Sequence, residues 1–75
     1  MPRLTPAPYR NLVRVFLKAG FTVSRQEGSH VVMNRPGTER PIVIPKYDEV
    51  GVPIIKNCLK TAGMERDEYF RLLKS

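Results

Sequence analysis

Residues 20–37, GFTVSRQEGSHVVMNRPG, decide the fold. Phe21 and Val23 alternate with Thr22 and Ser24, a period of two that predicts a half-buried strand. Glu27-Gly28 is a turn signal, and a second strand is expected from Ser29 to Asn34. The following RPGT, residues 35–38, places proline and glycine where the two central positions of a turn prefer them. A third strand, Pro41 to Ile44, is bracketed by prolines. Proline has no N–H to give to a ladder, so this strand belongs at a sheet edge.

Helical spacing flanks this meander on both sides. Pro8 suits a first helical turn and disfavours a helical Ala7, so a helix is expected from about Pro8. Tyr9, Leu12, Val13, Phe16 and Leu17 share its apolar face, and Gly20 is a plausible left-handed stop. After the loop YDEVGVP, Pro53 opens a second helix whose Ile54, Ile55, Cys58, Leu59 and Ala62 fall on one face and whose end is Gly63. A short last helix, Asp67 to Leu73, can bury Tyr69, Phe70 and Leu73. The predicted order is α-β-β-β-α plus a short C-terminal helix. A three-stranded antiparallel sheet with its helices on one face buries these stripes most simply, an α+β architecture. The other sheet face stays open.

At 75 residues, the chain is expected to be a single domain, 1–75, with a thin core. No apolar stretch approaches the length of a bilayer span. MPRLTPAPYR lacks the apolar stretch of a secretory signal, and the single cysteine, Cys58, has no partner for an internal disulfide. A cytoplasmic location is the expectation. Cys58 itself reads as a buried small apolar side chain.

The net charge of +6 is unevenly placed. Up to residue 47 the bases are Arg3, Arg10, Arg14, Lys18, Arg25, Arg35, Arg40 and Lys46, against Glu27 and Glu39 alone. Beyond it, bases and acids balance. One basic surface is implied, suited to a polyanion or an acidic protein. Arg10, Arg14 and Lys18 recur every four residues and line a stripe beside the apolar face of the first helix; a plain solvated face is the simpler account of that stripe.

His30 is the only histidine. Alternation along the second strand puts Val31 and Met33 toward the helices and His30, Val32 and Asn34 on the open face. No second histidine or cysteine cluster completes a metal site. Ser29 and His30, as strand neighbours, point apart and make no nucleophile–base pair. One histidine on a basic surface can nevertheless support RNA cleavage. The ribose 2′-hydroxyl attacks its own phosphodiester, an imidazole moves the proton, and Arg or Lys stabilises the developing charge. Physical chemistry alone does not favour this over plain binding.

The runs AGFTVSRQEGSHVVMNR and PIVIPKYDEVGVPIIKNCLKTAGMERDEYF resemble the HicA toxins of bacterial toxin–antitoxin modules. The matching pieces are Ala19-Gly20-Phe21, Arg25-Gln26, the Gly28-Ser29-His30 signature, Pro45, and Leu59 with Ala62-Gly63, in order along nearly the whole chain. The resemblance implies a double-stranded-RNA-binding-domain-like fold. It also implies a metal-independent endoribonuclease, needing no cofactor, that cleaves mRNA and is sequestered by a HicB-type antitoxin in a hetero-oligomeric complex. It makes His30 the catalytic residue. Many members carry a second histidine in a Pro-x-His pattern; here that stretch is Pro45-Lys46-Tyr47. Gly51-Val52-Pro53 replaces a more usual Gly-Thr-Leu.

On this reading Gly28, Ser29 and Lys46 lie closest to the phosphate, Arg25 and Arg35 are further cations, and Arg10, Arg14 and Lys18 track the RNA backbone. An acidic antitoxin docked on the same surface would cover His30. A non-catalytic RNA-binding module would need the basic surface without the imidazole; a third reading is a small basic interaction domain whose only ligand is a protein.

Overall fold

Proline sets the first boundary. Pro8 is extended (φ −61°, ψ 147°) and caps the helix that follows, since the residue before the helix needs no intrahelical N–H bond of its own. In the computed structural model, which describes residues 3–75, that helix is α1 (Tyr9–Lys18). It is followed by β1 (Thr22–Glu27), β2 (His30–Asn34), β3 (Ile42–Pro45), α2 (Val52–Ala62) and α3 (Arg66–Lys74). The three strands form one antiparallel sheet in the order β1-β2-β3. The α+β architecture expected from periodicity is the one observed, with element ends moved by a residue or two. Thus β2 starts at His30, β3 ends on Pro45, and α3 runs one residue further at each end than expected.

The core lies between the helices and one sheet face. Leu12, Val15 and Phe16 of α1 join Val31, Met33, Ile42 and Ile44 of the sheet, and Ile55, Cys58, Leu59 and Ala62 of α2. Tyr69 of α3 completes this cluster. Phe16 and Phe21 meet edge to face, with ring centres 5.4 Å apart. The tie between the two chain halves goes beyond side chains. Ala7 and Val50 form an antiparallel bridge through N–H···O bonds of 3.2 and 2.7 Å, and the Tyr9 N–H donates to the Tyr47 carbonyl at 3.1 Å. The loop after β3 is therefore pinned to the entry of α1.

Two expectations needed correction. β1 was expected to be half-buried, yet all six of its residues are exposed; Phe21, the buried residue of that stretch, precedes the strand. Val32 was expected on an open face, yet it is only 6% exposed. It sits in the middle strand, with Arg25 opposite it on one side and Val43 on the other.

Arg35 follows β2 and turns inward. Its guanidinium donates to the Ala19 carbonyl (2.8 Å) and the Ala62 carbonyl (3.3 Å), and lies 4.4 Å from the Phe21 ring centre. Ala19 caps α1 and Ala62 ends α2, so one cation satisfies carbonyls that two helix ends leave without partners. The next residues complete the expected turn: Gly37 has φ +89° and the Thr38 N–H donates to the Arg35 carbonyl at 3.1 Å.

Arg35→Ala is expected to lower folding stability by about 2 kcal/mol in urea titrations, with Arg35→Lys recovering only part because a single ammonium cannot fork to both carbonyls. Burial pushes the Cys58 thiol from 9.0 up to about 11. Between those values the unfolded chain loses its thiol proton first, so stability falls as pH rises through the window. At pH 10 the fall is about 1 kcal/mol, read as a larger drop in urea midpoint from pH 8 to pH 10 for wild type than for Cys58→Ala.

Candidate functional site

The hairpin between β1 and β2 turns on two residues, Gly28 and Ser29. Gly28 has φ +54° and no residue other than glycine takes a positive φ among those described, a pattern suited to a tight hairpin with glycine first. His30 is the first residue of β2 and exposed. Its ladder neighbours are Glu27 on β1 and Pro45 on β3. A Cβ built on Gly28 meets nothing within 4 Å, so the backbone there is open to close approach by a ligand.

Which side chains share the His30 face depends on one irregularity. The register runs Val23 opposite Met33, then Arg25 opposite Val32, with Ser24 the extra residue of a bulge. The Ser24 hydroxyl donates to the Val32 carbonyl at 3.3 Å. Strict alternation from Val23 would send Arg25 and Glu27 to the helix side and Gln26 to the open side. The bulge reverses this. Arg25 and Glu27 now lie on the face of His30, while Gln26 pairs with Val31 and lines the α1 side. Arg25 and Glu27 form an ion pair through Nε and Oε1.

Lys46 reaches this corner through its backbone, its N–H donating to the Ser29 carbonyl at 2.7 Å. It follows β3 and is half-buried. Tyr47 is 51% exposed, with its carbonyl held by Tyr9. Gly28, Ser29, His30 and the Lys46 backbone thus meet at one end of the sheet, with Arg25 further back on the His30 face, opposite Val32.

The other expected cations lie elsewhere. Arg35 is at the opposite end of β2, occupied with the two helix ends. Arg14 donates to the Leu73 carbonyl at 3.1 Å. Lys18 donates to the Ser75 hydroxyl at 2.9 Å and the Leu72 carbonyl at 3.5 Å, and contacts the Ser75 backbone oxygen. Both hold the C-terminal turn of α3 against α1, where the helix dipole favours a cation. Arg10 lies 5.8 Å from the Tyr9 ring centre. Sequence reasoning placed Glu27 in a turn and did not see it as the cross-strand neighbour of His30. The short spacing Glu27-Gly28-Ser29-His30 was the available signal, since a two-residue turn makes its flanking residues partners.

Among the described residues no group of three or more His, Cys, Asp or Glu is arranged to hold a metal ion, and no described helix is long and apolar enough to cross a membrane. No curated protein matches the chain. A family model described as "HicA toxin of bacterial toxin-antitoxin" matches residues 9–64, from α1 to just past α2, with the Gly28-Ser29-His30 turn inside the match. The match spans three-quarters of the chain, and the chain belongs to the HicA toxin family of bacterial toxin–antitoxin systems.

Proposed function

We propose that this protein is an endoribonuclease that cleaves mRNA in the bacterial cytoplasm and is held in check by a HicB-type antitoxin. The observation that carries the reading is the position of His30. It is exposed at the mouth of a two-residue hairpin, on the sheet face away from the helices, with Arg25 brought to that face by the bulge.

The chemistry uses the substrate's own nucleophile. The 2′-oxygen forms a bond to phosphorus and the bond from phosphorus to the 5′-oxygen breaks, leaving a 2′,3′-cyclic phosphate and a 5′-hydroxyl. One proton leaves the 2′-hydroxyl and one reaches the 5′-oxygen; His30 carries out one of these transfers. Gly28 lets the phosphate approach the backbone, and the Ser29 hydroxyl is free to donate to a phosphate oxygen. Lys46 and Arg25 offset the charge that builds on the phosphoryl oxygens. Glu27 pairs with Arg25 at the surface and tempers its charge. Tyr47 offers an exposed ring on which a base can stack. Arg35, Arg14 and Lys18 are left out of this RNA surface, because their cationic groups already serve helix ends.

In EDTA, wild type is expected to cut a single-stranded RNA to cyclic-phosphate ends. His30→Ala is expected to bind the same RNA equally well and to cut it on the order of 100-fold or more slowly. Binding by both proteins without cleavage by either would replace this reading with a non-catalytic RNA-binding module. Arg25→Ala is expected to weaken RNA binding and to reduce the salt slope of log K by about one, measured by fluorescence anisotropy across a salt series.

A further inference from the structure

On the far side of the sheet from His30, α1 and β1 do not close on each other. They leave an open groove of about 290 Å³ between them. Its apolar surface comes from Val13 and Leu17 of α1 and Val23 and Val31 of the sheet, and its rim carries Arg10 and Arg14. Leu17 is 49% and Val23 40% exposed, both among the few large apolar side chains left so open. In a chain with so thin a core, two such side chains facing one groove leave apolar surface in water that the fold itself does not cover.

The charge of the groove is one-sided. The Ser24 bulge that brings Glu27 to the His30 face also brings the neutral Gln26 here, so no carboxylate lines the groove. Arg14 keeps one guanidinium nitrogen on Leu73, and Arg10 contacts only the Tyr9 ring among the described interactions. An occupant with apolar side chains flanked by carboxylates fits both features: it covers Leu17 and Val23 and pairs with Arg10, the groove arginine that no described helix end holds.

We propose that this groove is the docking site for an acidic, apolar-striped segment of the antitoxin. The inference rests on the antitoxin reading above and moves the hold away from His30. Grip and inhibition then belong to different faces of the sheet, and a partner anchored in the groove reaches His30 only by passing round β1.

The test compares binding and cleavage in the same variants. Tagged toxin carrying His30→Ala is bound to its cognate antitoxin, and the Kd is measured with and without Leu17→Glu, Val23→Glu or Leu17→Lys. Both glutamate substitutions are expected to raise Kd roughly 100-fold. Leu17→Lys, equally polar at the same site, is expected to raise it about tenfold less than Leu17→Glu because it adds no repulsion toward an acidic segment. In otherwise wild-type toxin, Leu17→Glu is expected to leave RNA cleavage within about twofold, with an unchanged circular dichroism spectrum. A Kd within about threefold of the parent for both glutamate variants overturns the proposal. So does weakened binding in Arg25→Glu with none in Leu17→Glu, which would put the antitoxin over the His30 face. If the parent toxin binds no antitoxin at all, the antitoxin reading itself fails, and this is seen before any groove variant is compared.

Discussion

A single guanidinium lies where two helices end. α1 and α2 both finish at the same end of the sheet, and each leaves carbonyl oxygens without intrahelical partners. Arg35, leaving β2 at that point, donates to one carbonyl of each helix and covers the Phe21 ring. The middle strand, the first helix and the second helix are thereby fixed to one another through one side chain. With a core this thin, hydrophobic area alone leaves the helices freer to slide on the sheet; directional bonds at their ends remove that freedom. His30 sits at the other end of the same strand, so its surroundings inherit this anchoring without sharing its groups.

Much of the fold is legible in the sequence because its punctuation is strong. The alternation before Gly28, the Pro-Gly pair at 36 and 37, and the helical spacing from Ile54 to Ala62 each have one comfortable conformation. The bulge is not legible. After Val23 the chain reads Ser-Arg-Gln-Glu, four polar residues in a row, so no apolar side chain marks which face is which. The phase of the strand is set instead by its pairing with β2 and by the Ser24 hydroxyl on the Val32 carbonyl. The charges that face His30 are therefore set by an uncharged serine outside any motif.

The basic stripe of α1 carries a related lesson. Arg10, Arg14 and Lys18 are indistinguishable in spacing, and all three read as one charged face. In the structure two of them serve the end of α3 and one is left beside a tyrosine. A cation counted toward a binding surface is available only if no helix end has claimed it first, and periodicity carries no information about contacts over more than fifty residues of chain. The neutral stretch from Asp48 onward thus still shapes the field, by occupying cations supplied from the first helix.

The two borders of the sheet are unlike. Pro41 precedes β3 and Pro45 ends it, neither with an N–H to offer, and the Val43 carbonyl takes a contact of 3.8 Å from the Cys58 thiol of α2, so that border is short and poor in free donors. β1 has no strand beyond it and all six of its residues are exposed. A sheet with one usable border can gain one neighbour and then stops growing: two copies joined border to border have none left to offer. The bare border of β1 therefore favours a closed pair over the running, fibre-like stacking open to a sheet with two bare borders.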